Sequence, residues 1–217
     1  MWLSAAIGLA MGSILGMCAD RLPRKAKTRR TGTYRVRRWA VLAIVSICLF
    51  THVWRRYGWN LGSVTLLTYC SLLLLIAVID LEHRLIPNVL VGSGMVIALG
   101  FGVISAHLGL AAMLWGAVVG GGIFMLLSLA RRDALGAGDV KLAALIGMMT
   151  GYPGVLLALT LGVILGGLAA GVFLLTGVKR RDQYMPYAPY LTAGSAATLL
   201  WSQQIASWYV SLIGLGG

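Results

Sequence analysis

The sequence has 217 residues, of which 59% are hydrophobic and only 11% are charged, and its mean hydropathy is +0.87. A soluble domain carries about twice that share of charged residues, so the composition excludes an ordinary soluble protein and indicates a membrane protein. The net charge of +12 does not indicate a nucleic-acid binder, because nine of the 18 basic residues lie between Arg21 and Arg38 and the others fall in short gaps between apolar segments. That distribution is typical of the cytoplasmic loops of membrane proteins.

The apolar segments predict an all-α bundle of about eight transmembrane helices that forms a single domain, residues 1–217. A short basic cytoplasmic loop at residues 20–38 separates the first two helices. The 29 glycines suit a bundle in which helix backbones approach each other closely. The predicted helices are Trp2–Ala19, Trp39–Val53, Leu61–Asp80, Pro87–Ala106, Leu110–Ala130, Asp139 to a turn at Tyr152–Gly154, that turn to Val178, and Tyr190–Leu212.

The distribution of basic residues predicts the orientation of the bundle. With eight helices and the N-terminus outside, 16 of the 18 basic residues lie on the cytoplasmic side, and only Arg55 and Arg56 lie outside. The first apolar segment has no basic residue before it, so we expect a permanent helix instead of a cleaved signal peptide. The basic loop is expected to meet anionic lipid head groups.

Two of the six acidic residues lie at the ends of predicted helices. Asp80 ends a long apolar segment, and Asp139 begins the sixth helix. A carboxylate at the edge of the hydrocarbon usually faces the bundle interior or a wet cavity. Two neighbouring carboxylates that share one proton can hydrolyse a peptide bond, because one activates water while the other protonates the amide. Asp80 and Asp139 are candidates for such a pair, and two unrelated helix-end residues are the alternative.

The residues around this pair are expected to shape the site. Pro87 prevents the third helix from continuing and suits the start of the fourth, next to Asn88. Gly136 and Gly138 remove side chains beside Asp139, so that a neighbouring helix or an extended peptide can approach. The same set of site-shaping or substrate-binding candidates contains Lys141, Pro186 and Pro189.

Other chemistry finds little support in the sequence. The three cysteines form no CxxC pair and the three histidines show no ligand spacing, so no metal and no cofactor is expected. The simplest interpretation of Glu82, His83 and Arg84 is a solvated loop, and that of Asp20 is an ion pair with Arg21 or Arg24.

Four segments, in this order, resemble the motifs of bacterial type IV prepilin peptidases, which belong to the GxGD aspartyl proteases. They are GSILGMCADRLP at residues 12–23, DLEHRLIPN at 80–88, GAGDVKL at 136–142 and MPYAPYL at 185–191. The last segment is similar to a PFGPFL element of that family. Gly16 departs from the pattern, since the family usually has asparagine there.

The resemblance implies a membrane-embedded endopeptidase of the bacterial inner membrane, with Asp80 and Asp139 as the catalytic residues. Its substrates would be prepilin-like or pseudopilin precursors, cut after a glycine that follows a basic leader at the cytoplasmic face. Many members also methylate the new N-terminus. The cytoplasmic domain with paired CxxC motifs that such members carry between the first two helices is missing here, which argues against methylation.

Two other functions remain open at this point. The aspartates could form the proton relay of a small proton-coupled transporter, a common use of membrane carboxylates. The chain could also be a non-catalytic assembly factor for pilin-like helices. Separately, Asp139 could serve only as a helix cap, and Lys141 only as a basic anchor at the membrane surface.

Overall fold

A computed structural model describes residues 2–21, 32–105, 108–130, 136–176 and 186–212. Its eight helices confirm the predicted all-α architecture, and the described residues contain no strand. In chain order the helices are α1 Trp2–Arg21, α2 Gly32–Tyr57, α3 Leu61–His83, α4 Asn88–Ser105, α5 Leu110–Ala130, α6 Ala137–Thr150, α7 Gly154–Leu175 and α8 Ala188–Leu212.

The loop predicted at residues 20–38 is shorter in the structure. Helix α1 continues to Arg21 and α2 already begins at Gly32, so only residues 22–31 separate them, and these lie outside the described residues. The stretch from Gly32 to Arg38 contains no proline, and arginine is a good helix former, so the basic sequence extends the helix beyond its apolar part. The sequence prediction placed the boundary where hydrophobicity changes.

Several helices are long and apolar enough to cross a membrane. Among the described residues four qualify by length and composition, namely α3, α5, α7 and the part of α2 from Val36 to Tyr57. Shorter apolar helices cover Ser4–Asp20 and Asn88–Ile104. Helix α6 has 14 residues, which give a length of about 21 Å, less than the hydrocarbon core of about 30 Å. The protein is therefore an integral membrane protein, while a count of eight spans and an outside N-terminus stay predictions.

Glycines bring the helices of this bundle into backbone contact. A Cβ atom at Gly116 of α5 would overlap the Gly147 carbonyl of α6, and one at Gly12 of α1 would lie 2.7 Å from Ala43 Cα of α2. Helices α7 and α8 meet in the same way at Gly162. Small residues permit such approaches, which drive helix association in lipid. The expectation of a glycine-packed bundle is confirmed.

Helices α3 and α6 form the middle of the bundle. Half of the apolar stretch of α3 is buried, against 22–28% for α2, α5 and α7. In α6 the residues after Asp139 are mostly buried, and the helix packs against α4, α5, α7 and α8. The last turn of α3 and the first turn of α6 lie near the start of α8, and we call this region the aspartate end.

Candidate active site

Asp80 lies one turn before the end of α3. The helix stops at Arg84, whose backbone adopts a left-handed conformation with φ of 50° and whose N–H donates to the Asp80 carbonyl oxygen at 2.8 Å. The residues between Arg84 and Asn88 are non-helical, and α4 follows directly after Pro87, as the position of this proline predicts. The side chain of Asp80 is therefore fixed on a complete helical turn, and the residue is only 5% exposed.

Asp139 occupies the third position of α6, and Gly136 is the residue that caps this helix. The Gly136 N–H donates to Asp139 Oδ2 at 3.2 Å, and the Asp139 N–H donates to the Gly136 carbonyl oxygen at 3.0 Å. Asp139 thus does serve the helix start, as the capping interpretation suggests. Asp139 is nevertheless only 4% exposed. A carboxylate whose only role is to cap a helix can remain exposed to water, so capping alone does not explain this burial.

The two carboxyl groups are close enough to interact electrostatically. The backbone amide of Ala188, the first residue of α8, also contacts the Asp80 carboxyl group, and the Arg84 side chain adds a weaker electrostatic attraction. Asp80 Oδ2 is buried and has no hydrogen-bond partner among the described residues. The structure thus brings together the two aspartates that the sequence singled out, which lie 59 positions apart in the chain.

The segment from Pro186 to Pro189 forms one wall of the site. Pro186 and Ala188 are buried, and the Tyr187 ring packs on Phe124 of α5 with their centroids 6.1 Å apart. Burial and the neighbouring Asp139 carboxylate raise the pKa of the Tyr187 phenol. Pro186 and Pro189 were predicted from the sequence as site-shaping residues, whereas Tyr187 and Ala188 were not. For Tyr187 one signal is visible in the sequence, because tyrosines replace both phenylalanines of the PFGPFL element.

Gly138 allows the start of α6 to close against the connection between α3 and α4. A Cβ atom at Gly138 would lie 3.2 Å from Ile86 Cβ, closer than most real contacts. The neighbour that approaches this glycine is therefore the Ile86 side chain. This contact fixes the start of α6, which carries Asp139, against the connection that follows Asp80.

Lys141 and Asn88 are joined across the surface of the aspartate end. Lys141 Nζ donates to Asn88 Oδ1 at 3.0 Å, and both residues are exposed. The contact links α6 to the first turn of α4, which follows Pro87. The two predicted site-shaping residues thus form one pair at the rim of the site, and Lys141 does not point toward Asp139.

Glu82 is not the solvated residue that the sequence suggested, and Asp20 has a partner that is distant in sequence. The Arg38 guanidinium donates to Glu82 Oε2 at 2.9 Å and also pairs with Asp20, while His83 Nε2 lies 3.7 Å from Glu82 Oε2. The Glu82 side chain is 5% exposed. The early start of α2 explains both contacts of Arg38, because it turns this residue toward the ends of α1 and α3. The predicted pairing of Asp20 with Arg21 or Arg24 lies outside the described side chains and stays a prediction.

A cavity of about 370 Å³ lies at the opposite end of the bundle, between α3, α5 and α8. Its lining includes Asn60, Ser63, Tyr69 and Met113, and neither aspartate contributes to it. Among the described residues no three His, Cys, Asp or Glu side chains form a group that could hold a metal ion. At the aspartate end the two carboxyl groups lie near the Ala188 amide and the Tyr187 phenol.

Comparisons with known proteins agree with the geometry. Residues 67–171, which contain both aspartates, match the type IV leader peptidase family. The chain is 30% identical to the prepilin leader peptidase/N-methyltransferase of Bacillus subtilis over 169 residues, which cover 78% of this chain and 68% of that protein. It is also 30% identical to the proteins of that name from Stutzerimonas stutzeri and Pseudomonas aeruginosa, over 71% and 82% of this chain and 54% and 63% of theirs. No solved structure matches. The chain belongs to the type IV leader peptidase family.

Proposed function

We propose that the protein is an aspartic endopeptidase of the inner membrane that removes the basic leader from prepilin-like precursors, cutting after a glycine at the cytoplasmic face. The observation that carries the proposal is the burial of Asp80 and Asp139 side by side, at 5% and 4% exposure. Two buried carboxyl groups in electrostatic contact resist double ionisation, so one keeps a proton. This state is the one that hydrolysis of an amide requires.

In the proposed reaction the ionised member of the pair accepts a proton from a water molecule as the water oxygen attacks the scissile carbonyl carbon. The tetrahedral oxyanion that results collapses when the protonated member donates its proton to the amide nitrogen. The C–N bond then breaks to give a carboxyl group on the leader and a free amine on the mature protein. Each aspartate ends in the protonation state in which the other began, as in other aspartyl dyads.

The backbone around the pair supplies fixed hydrogen-bond donors. The Gly136 N–H donates to Asp139 Oδ2, and the amide of Ala188 contacts the Asp80 carboxyl group. Such preorganised donors need no rearrangement when charge moves between the carboxylates. In this proposal Gly138, Pro87 and Pro186 set the approach of the three segments, and their role is to shape the site.

The rim of the site is where a substrate would enter. Lys141, Asn88 and Pro189 lie at the aspartate end beside the dyad, next to the starts of α4, α6 and α8. In the predicted orientation this end faces the cytoplasm, where a basic leader and the anionic lipid head groups would both be found. The basic sequence at residues 20–38 would contact those head groups, because its positive charge is unsuited to a basic leader.

We propose the peptidase reaction without methyl transfer. The chain covers 54–68% of the length of the three relatives, whose names join both activities. Its three cysteines lie in α1, α2 and α3 as separate thiols, and no pair of CxxC motifs occurs in the sequence. A methyltransferase assay on cleaved substrate, which we expect to show no transfer, tests this point.

A cleavage assay tests the proposed function. The purified protein, in detergent or in vesicles, is incubated with a pilin-type precursor that carries a basic leader and a glycine at the cut. We expect cleavage by the wild type and a loss of at least a thousandfold for Asp80→Asn and for Asp139→Asn, because either change leaves one working carboxyl group. Asp182→Asn, an acidic residue beside two arginines in the sequence, is the matched control and should cleave normally.

The opposite result has a clear meaning. If the double variant Asp80→Asn, Asp139→Asn cleaves as well as the wild type, the aspartates are not the catalytic pair. If the folded wild type fails on a series of leaders, a proton-coupled transporter or an assembly factor becomes the better explanation. Membership of the leader peptidase family favours the peptidase over both alternatives.

A further inference from the structure

We propose that the cavity at the end of the bundle opposite the aspartates binds one acyl chain of an anionic phospholipid, with Arg56 at its mouth holding the phosphate group. The cavity has a volume of about 370 Å³, within the range of about 300–1000 Å³ that small-molecule sites have. Almost the full length of α3 separates its lining residue Ser63 from Asp80. This is therefore a second site, and its occupancy does not depend on the proposed peptidase function.

The interior of the cavity is apolar and reaches the core of the bundle. Its lining includes Leu66, Leu199 and the buried side chains of Tyr69, Met113 and Met149. The Tyr69 hydroxyl donates to a backbone carbonyl oxygen of α4 at 3.4 Å, so the tyrosine presents its ring to the cavity. Methionine side chains adapt their shape to an apolar partner. Side chains around an apolar space gain dispersion contacts when a chain fills it, so an acyl chain is the ligand that this interior fits.

The mouth of the cavity is polar, and hydrogen bonds hold it in shape. Tyr57, Asn60 and Gln204 line it where α2 passes into α3 and where α8 crosses them. The Tyr57 hydroxyl donates to the Leu200 carbonyl oxygen at 3.0 Å, and Asn60 Nδ2 donates to the Tyr57 carbonyl oxygen at 2.9 Å. Asn60 Oδ1 accepts from the Ser63 N–H at 2.7 Å. The three helices are thus joined around the opening, so the site is formed before a ligand enters.

Arg56 brings a positive charge to this mouth. Its guanidinium carbon lies 5.7 Å from the centroid of the Tyr57 ring, and the side-chain oxygen of Gln204 accepts from the same guanidinium. Both of these neighbours line the cavity. The acidic side chains in the described part of the chain all lie at the aspartate end, namely Asp20, Asp80, Glu82 and Asp139. The exposed guanidinium therefore faces no carboxylate of the described residues, and a phosphate group complements it.

Aromatic rings near the mouth place it at the level of the lipid head groups. The Trp54 and Trp59 rings meet edge to face with their centroids 4.8 Å apart, and the Trp201 ring lies 5.6 Å from the His52 ring. Tryptophan and tyrosine concentrate where a membrane meets water. The apolar span of α3 begins directly after these rings, at Leu61. The mouth thus lies among head groups and the interior among acyl chains, which is the arrangement that a phospholipid needs.

Lipid binding to the full chain in a non-ionic detergent tests the inference. The probes are phosphatidylglycerol, which is anionic, and phosphatidylcholine with identical acyl chains, and native mass spectrometry measures the affinity of each. We expect phosphatidylglycerol to bind about fivefold more tightly, because one basic residue near the head groups contributes about that factor toward an anionic lipid.

Two threonines of α3 provide a matched pair for the cavity itself. Thr65 and Thr68 are both half-buried, and each hydroxyl donates to the carbonyl oxygen four residues earlier, at 2.9 and 2.8 Å. Thr65 is the one that lines the cavity. Thr65→Trp fills the space, so we expect it to weaken phosphatidylglycerol binding at least tenfold. Thr68→Trp should keep the affinity of the wild type within twofold.

Two neighbouring arginines provide a matched pair for the head group. Arg55 and Arg56 are both exposed, and within the described structure Arg55 makes no hydrogen bond or ion pair. Arg56→Gln should reduce the preference for phosphatidylglycerol to less than twofold and leave phosphatidylcholine binding unchanged. Arg55→Gln should keep the preference of the wild type. Because both residues are exposed, both variants should fold, so this pair decides the matter if Thr65→Trp does not fold.

Several results would overturn the inference. Equal binding of the two lipids by the wild type, or binding of neither, would exclude a site for an anionic phospholipid. An unchanged affinity in folded Thr65→Trp would show that the lipid binds elsewhere. An equal loss of preference in Arg55→Gln and Arg56→Gln would indicate a general attraction by surface charge instead of a site. None of these measurements involves cleavage, so the proposed peptidase function stands or fails separately.

Discussion

Arg38 donates to Glu82 Oε2 at 2.9 Å, and this contact joins the start of α2 to the end of α3, two residues beyond Asp80. The same guanidinium pairs with Asp20 at the end of α1. A guanidinium has five donors in a planar fork, so one arginine can hold two carboxylates from different helices. Three helices are thereby fixed to one another directly beside the proposed dyad.

Replacing Arg38 should weaken both the fold and the proposed activity. Arg38→Ala removes a cation that pairs with two largely buried carboxylates, so we expect the free energy of unfolding to fall by about 2 kcal/mol. Cleavage should fall as well, because the end of α3 that carries Asp80 loses its attachment. Thermal unfolding in detergent measures the first effect. Arg37→Ala is the matched control, since Arg37 is exposed, and an equal loss in that variant would contradict the prediction.

The contact between α5 and α6 predicts a strong dependence on one glycine. Gly116→Ala places a methyl group where the Gly147 carbonyl already lies, so the two helices must separate, and we expect a loss of about 3 kcal/mol. Gly122 lies on the same helix, and a Cβ atom there would meet no heavy atom within 4 Å. Gly122→Ala should therefore be neutral or slightly stabilising, because alanine favours a helix by about 1 kcal/mol over glycine. Equal melting temperatures for the two variants would refute the backbone contact.

A substitution at Ile86 should compensate for part of the effect of a substitution at Gly138. Gly138→Ala brings a methyl group to 3.2 Å from Ile86 Cβ and pushes the start of α6, with Asp139, away from the connection that follows Asp80. We expect at least a tenfold loss of cleavage, since small misplacements of a catalytic group are costly. The double variant Gly138→Ala, Ile86→Ala removes the crowding and should recover part of that loss.

The control for this pair is Gly92→Ala on α4, where an added Cβ atom would have open space, and it should leave cleavage unchanged. If the double variant is no more active than Gly138→Ala, then Gly138 acts through something other than Ile86. Circular dichroism of each variant would confirm that helix content is retained, so that a loss of cleavage reports on the site.

The positions of the aspartates could be predicted from the sequence because local features mark them. An apolar run ends at Asp80, and glycines with a helix start mark Asp139. Tyr187 and Ala188 could not be placed by the same reasoning. Their segment carries no charge, and its approach to the dyad depends on how α8 packs against α3 and α6. Local sequence contains no information on that packing.

The contacts of Arg38 with Asp20 and Glu82 were missed for a different reason. Arg38 is 18 residues from Asp20 and 44 residues from Glu82, so proximity in sequence favoured other partners. The decisive fact is that α2 begins at Gly32, before its apolar part. Hydrophobicity marks where a helix enters the membrane and says little about where the helix starts.

Replacing Gly16 with asparagine, the usual residue of the family, tests whether the surroundings of this position are adapted to glycine. A Cβ atom at Gly16 would lie 3.0 Å from the Trp39 ring of α2, so Gly16→Asn must displace a large rigid side chain. We expect a loss of about 1–3 kcal/mol in the free energy of unfolding, the usual cost of overpacking. The cost should shrink in a chain that also carries Trp39→Ala, because the ring is then absent.

One structural detail supplies the alternative outcome for Gly16. Trp39 Nε1 is buried without a hydrogen-bond partner among the described residues, and an asparagine carbonyl at position 16 would offer an acceptor. If Gly16→Asn unfolds at a higher temperature than the wild type, the gain of that hydrogen bond exceeds the cost of the overlap. Glycine at this position would then be less stabilising than asparagine. Gly16→Ala adds the methyl group without an acceptor and should still destabilise the protein.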